Sequence, residues 1–181
     1  IGTVIDFPEC KSTIEDKLIA ANKAIADGAD ELDFVCNYNA FKTGAIDMVK
    51  EEILRATQLA LAHNKIIKWI IEVAALTDKQ IIQLSTLIKN VVIAHFKEAD
   101  YAAVFVKSST GFYETENNEP NGATIPTIIM MLENASPLPV KAAGGVRNYA
   151  DAEKMIKLGV KRIGTSAAKA IVSGGKNQEQ Y

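Results

Sequence analysis

The sequence predicts an α/β fold, a TIM (β/α)8 barrel with about six of its eight β/α units present and the N-terminal units missing. Three observations predict it. Short β-branched runs alternate with helix-periodic segments and no hairpin signal joins them, which implies parallel strands linked by crossover helices. No GxGxxG or P-loop pattern follows the first strand, which argues against the common nucleotide-binding forms of the open doubly wound sheet. Asp33, Glu72, Lys107 and Lys141 lie within or at the ends of otherwise apolar runs. In a barrel such positions gather at one mouth, whereas an open sheet spreads them along a line. Six units leave two strand edges that must be covered.

The expected strands, in order, are Thr3–Phe7, Glu31–Cys36, Ile66–Val73, Tyr101–Lys107, Pro139–Ala143 and Arg162–Thr165. After the first, Ile14, Leu18, Ala21 and Ile25 share one helical face and Gly28 closes the helix. After the third, Ile81, Leu84, Ile88 and Val91 or Val92 do the same, capped by Thr77 or Asp78. Thr124 suits an N-cap with Pro126 in the first turn, and "NYADAEKMIKLG" is a short helix ending at Gly159. One barrel domain is expected over residues 1–173, with a polar tail over 174–181. The chain opens on Ile1 in a strand-like run without an initiator Met or signal peptide, which predicts that the numbering begins inside a longer gene product.

Composition narrows the function. The 181 residues are 48% hydrophobic with a net charge of -2, and no basic run favours nucleic acid. No apolar stretch approaches a membrane span. Cys10 and Cys36 form neither a CxxC nor a metal spacing, so a reducing compartment and a cytoplasmic location are expected. His63 and His95 read as isolated helix-surface residues near helix ends, so no zinc site is expected.

The charged residues point at chemistry. Lys107 ends an apolar run and enters Ser108-Ser109-Thr110-Gly111, a turn with hydroxyls and little bulk; Thr110 and Gly111 are the expected pocket wall. The alternative is a strand-end lysine snorkelling into solvent. Lys141 lies on the next strand, followed by Gly144-Gly145, which reads either as a plain turn or as close backbone approach to an anion. Gly164, Thr165 and Ser166 are expected to open a helix whose free N–H groups suit a phosphate. Asp33 requires a cationic partner whether its role is structural or catalytic. Lys68 and Glu72 alternate with Ile70 and are expected to share one strand face, in a structural ion pair or an orienting role rather than in direct catalysis.

A lysine nucleophile must first lose a proton. Moving its pKa from ~10.4 to ~7 takes about 4.6 kcal/mol, and a second unit charge ~4 Å away supplies about 4 kcal/mol at an effective dielectric of ~20. Lys141 is therefore expected to be the main cause of Lys107 activation, with desolvation supplying the rest and Asp33 keeping the paired charge tolerable.

"GADELDFVCNY", "IIEVAALTD", "ADYAAVFVKSSTGF", "GATIP" and "VKAAGGVRNYADAEKMIKLGVKRIGTSAA" resemble deoxyribose-phosphate aldolases in order and spacing, nearly throughout the chain. The resemblance implies a TIM barrel and a metal-free class I aldolase without a cofactor. Such an enzyme reversibly cleaves 2-deoxy-D-ribose 5-phosphate to D-glyceraldehyde 3-phosphate and acetaldehyde, in deoxyribose phosphate catabolism. It also implies roles: Lys107 as the Schiff-base lysine, Lys141 as the second active-site lysine, Asp33 as the catalytic aspartate, and Gly144, Gly145, Gly164, Thr165 and Ser166 as the phosphate-loop region. The implied partner is a small phosphorylated sugar, not nucleic acid or membrane, with a possible homodimer. The chain departs from the family's pattern in lacking the first two units and in carrying Val73 after Glu72 and Phe112 where some relatives have a phosphate-contacting lysine. Tyr181 stands where some relatives have a mobile tail that reaches the site, and reads equally well as the end of a disordered polar tail. Two readings compete: another phosphate-binding barrel enzyme (an isomerase or a different Schiff-base aldolase), and a non-catalytic sugar-phosphate-binding barrel.

Overall fold

A computed structural model describes residues 1–116 and 119–173. Six strands, β1 (Gly2–Ile5), β2 (Glu31–Val35), β3 (Ile66–Ile70), β4 (Val104–Lys107), β5 (Val140–Ala143) and β6 (Arg162–Gly164), form one sheet in sequence order. Every neighbouring pair is parallel. The connections are helical: α1 (Ile14–Ala26), α2 (Tyr38–Lys42), α3 (Ile46–Ala62), α4 (Asp78–His95), α5 (Ile125–Ala135), α6 (Tyr149–Leu158) and α7 (Ala168–Val172). Strand–helix alternation with short connections yields this parallel order. The expected polar tail and Tyr181 lie outside the described residues.

The sheet is an arc of a barrel. Arg162 on β6 reaches Glu31 on β2, and its guanidinium lies 5.0 Å from the centroid of the Phe105 ring on β4. Side chains on non-adjacent strands meet this way only when the sheet curls. Strand alternation sorts the residues. Leu32, Phe34, Ile67, Trp69, Val104, Val106, Val140 and Ala142 are fully buried in the hydrophobic core. Trp69 donates its indole N–H to Thr57 Oγ1 of α3, at 3.1 Å. The intervening residues, Asp33, Lys68, Phe105, Lys107, Lys141 and Arg162, face the barrel interior, where their charges meet. β1 and β6 are the edge strands of the sheet.

Several expected boundaries shift. Residues Glu98–Ala103 form a 3-10 helix, so β4 begins at Val104 rather than Tyr101. β3 ends at Ile70, because Glu72 takes a left-handed backbone (φ 53°) that turns the chain into a 3-10 turn, Val73–Ala75. Thr77 and Thr124 cap α4 and α5 as expected, and Gly159 terminates α6 at φ 108°. Among the described residues no helix is long and apolar enough to cross a membrane.

Candidate active site

Asp33 is the centre of the site. Its Oδ1 accepts from Lys68 Nζ at 2.5 Å, and its Oδ2 accepts from both Lys107 Nζ and Lys141 Nζ, each at 2.9 Å. Parity explains the convergence: Asp33 is in register with Lys68, and Lys107 with Lys141, so successive inward positions of β2 to β5 stack their charges. Lys68 also pairs with Glu31 Oε2 at 2.7 Å, and Arg162 binds the same carboxylate. Four cations thus share two carboxylates in a largely dry space.

Such an excess of positive charge favours release of one proton. Burial would raise the Asp33 carboxyl, but Lys107, Lys68 and Lys141 outweigh it and hold it down at about 2. The Lys107 ammonium is lowered from its ordinary value, chiefly by burial. Asp33 pulls it back up, and Lys141 and then Lys68 push it down again. The expected ranking is therefore corrected: desolvation leads and Lys141 assists. Burial leads because Lys107 is only 7% exposed at the floor of the mouth rather than projecting into solvent.

Above Lys107 opens a cavity of about 390 Å³. Thr110, Gly111, Gly144, Gly145, Gly164, Thr165 and Ser166 line it, together with Phe112 and Arg147. Every site residue expected from the sequence lines this cavity except Asp33 and Lys141, which meet Lys107 beneath it. The glycines have physical reasons. Gly144 and Gly145 take φ of 76° and 83°, and a Cβ at Gly122 would stand 2.6 Å from the Gly144 backbone. A Cβ at Gly164 would stand 3.1 Å from Lys141 Cε, so this glycine makes room for the second lysine.

Two expectations are corrected here. α7 starts at Ala168, not at Gly164, and spans five residues, because Thr165 Oγ1 accepts from Ala167 N–H at 2.9 Å and donates to Val146 O at 2.6 Å, holding the segment in a turn. Lys68 does not pair with Glu72: the left-handed turn at Glu72 carries its carboxylate away to Ser109 and Thr110. Sequence reasoning missed Lys68 and Arg162 as members of the charge cluster, although the inward parity of Lys68 with Asp33 was a usable signal.

Residues 1–177 match the family model of the DeoC/LacD family aldolases. The chain belongs to that family. The deoxyribose-phosphate aldolase of Caldicellulosiruptor saccharolyticus is 38% identical over 175 residues, covering 96% of this chain and 72% of the relative. That of Thermococcus gammatolerans is 39% identical over 180 residues, covering 99% of this chain and 73% of the relative. The solved deoxyribose phosphate aldolase of Aeropyrum pernix, described as tetrameric, superposes with a TM-score of 0.77 at 29% identity, covering 97% of this chain and 68% of that one. The six-stranded arc of this aldolase-family chain is thus a (β/α)-barrel arc, and the protein is a lyase of the aldolase type.

Proposed function

We propose that the protein cleaves 2-deoxy-D-ribose 5-phosphate to D-glyceraldehyde 3-phosphate and acetaldehyde, reversibly, through an imine on Lys107. One observation carries the assignment: among the described residues Lys107 alone is shared by the buried cation cluster and the cavity. Its relatives' named activity supports the substrate.

In the proposed cycle, the deprotonated Lys107 Nζ attacks the C1 aldehyde, the adduct takes up one proton from solvent and water leaves, giving a protonated imine. The C3 hydroxyl loses its proton, the C2–C3 bond breaks, and its electron pair flows into the imine to give an enamine. C2 is then protonated and hydrolysis frees acetaldehyde. Asp33 and Lys141, hydrogen-bonded to each other, serve together through a water as the proton relay. The phosphate sits against the Gly144–Gly145 and Gly164–Ser166 backbones beside Arg147, which fixes the register of the breaking bond. Apart from its substrate the protein is proposed to act without a metal or cofactor, in the cytoplasm, where the free, buried Cys10 and Cys36 stay reduced.

A coupled assay for glyceraldehyde 3-phosphate released from 2-deoxyribose 5-phosphate tests the assignment. Release that vanishes in Lys107→Leu supports it, and a rate equal to the buffer control contradicts it. Self-association is proposed as a homodimer, and a monomeric mass by light scattering would contradict that.

A further inference from the structure

Glu72 lies in the turn just past the end of β3, is 1% exposed, and among the described residues has no cationic nitrogen in ion-pair range. Its carboxyl is held by neutral groups of the turn that follows Lys107. Oε2 accepts from Thr110 N–H at 3.2 Å and from the Thr110 hydroxyl. Oε1 lies 2.8 Å from Ser109 Oγ, and Ser109 Oγ lies 2.5 Å from Asn121 O.

These last three oxygens form a row that demands a proton count. Ser109 has one hydroxyl proton. It also accepts from Gly111 N–H at 2.8 Å, so its remaining capacity is one donation and one acceptance. Asn121 O is a carbonyl and can only accept. Two short O···O contacts therefore need two protons, and Ser109 supplies one. If Glu72 were ionised, one contact would have no proton between its oxygens. If Glu72 carries a proton on Oε1, it donates to Ser109, Ser109 donates to Asn121, and every group is satisfied.

We propose that Glu72 is a positioning residue held as the neutral acid, whose proton fastens the Lys107 turn to Asn121 and so fixes the cavity wall at the phosphate end. This rests on the reading of the cavity as a phosphorylated-sugar site. The wall continues from there. Asn121 Nδ2 donates to Gly111 O at 3.0 Å, and the adjacent Gly122 packs on Gly144, whose own Cβ position lies 3.3 Å from Ser109 Oγ. Glu72 does not itself line the cavity; it acts through Thr110, which does, and through this stack. Burial raises its carboxyl above the ordinary range, partly offset by the Thr110 and Ser109 hydrogen bonds and by Lys107. The titratable groups facing it are Lys107 from β4 and Tyr38 from α2. A neutral Glu72 also adds no further anion to hold Lys107 as its ammonium.

The carboxyl form is read directly by infrared difference spectroscopy between the wild-type protein and Glu72→Gln at neutral pH. The proposal expects the C=O band of a protonated carboxyl in the wild type. A difference made only of carboxylate bands overturns it. Kinetics supply the second readout. The wild-type KM for 2-deoxyribose 5-phosphate should rise with increasing pH as Glu72 ionises. Glu72→Gln, whose amide N–H replaces the acid proton, should abolish that rise. Glu72→Ala should raise KM about tenfold or more with kcat little changed. A pH dependence of KM that is the same in wild type and Glu72→Gln overturns the proposal. Acetaldehyde carries no phosphate, so borohydride trapping on Lys107 should persist in both variants. If wild-type Lys107 forms no adduct, the aldolase reading fails, and the infrared result still decides the state of Glu72.

Discussion

Lys107 and Lys141 donate to the same oxygen of Asp33, each at 2.9 Å, from neighbouring strands. Two ammonium groups on one carboxylate oxygen are mutually repelled and jointly held, so removing any member changes the other two.

Lys141→Leu should raise the apparent pKa of Lys107 and slow imine formation at neutral pH, because a neighbouring like charge is lost. Lys68→Met should shift it the same way by less, since Lys68 bears on Lys107 more weakly than Lys141 does. The pH dependence of borohydride trapping measures both. Equal profiles in wild type and Lys141→Leu would mean that burial alone sets the Lys107 amine.

Gly122→Ala places a Cβ 2.6 Å from backbone atoms of Gly144, where no side chain can yield. Overpacking of this kind costs about 1–3 kcal/mol. The variant should melt at a lower temperature and show a raised KM for the phosphorylated substrate. An unchanged KM would separate the Gly144 loop from phosphate binding.

Lys17 anchors a second buried cluster, between β2 and the helices α1 and α3. Its Nζ lies 2.5 Å from Glu52 Oε1, 3.3 Å from Asp6 Oδ2, 2.8 Å from Val35 O and 3.0 Å from Cys10 Sγ. Burial disfavours the ammonium, yet Glu52 and Cys10 raise it above its ordinary value, so it stays charged. Burial pushes the Cys10 thiol up to about 12. Lys17→Met would strand Glu52 and Asp6 and should cost about 3–5 kcal/mol in chemical denaturation. Adding Glu52→Gln should recover part of that loss.

Acid should unfold the protein through its interior carboxylates. Asp33 is held at about 2 against an ordinary 3.8, and Glu31, bound by Arg162 and Lys68, at about 2 against 4.5. Folded values below the unfolded ones mean that this stability is complete above the unfolded pKa values and is lost as pH falls from about 4.5 towards about 2. Denaturation midpoints measured across that window check the sign. Asp33→Asn should flatten the dependence.

The strand order and the meeting of Asp33, Lys107 and Lys141 were legible because charges set within or at the ends of otherwise apolar strands gather at one mouth of a barrel, and because the resemblance names the three together. The caps at Thr77 and Thr124 were legible because a hydroxyl before an apolar helix has few other uses. Glu72 was misassigned for a definite reason. Parity puts residues 68, 70 and 72 on one face only while the strand lasts, and it stops at Ile70. A left-handed glutamate is a tertiary effect that no local pattern announces. Lys17 was missed because a lysine within a helix reads as solvent-facing, and its two carboxylates come from segments 11 and 35 residues away. Arg162 joined the cluster only through sheet curvature, which carries it across to β2.

The central claim is that Lys107, within a cluster richer in cations than anions, is the amine that forms the imine. Peptide mapping after borohydride treatment with acetaldehyde tests it most directly. The account predicts one reduced adduct, on the peptide carrying Lys107, absent in Lys107→Leu and slower to form in Lys141→Leu. An adduct on Lys141 or Lys68, or one that survives Lys107→Leu, would contradict it.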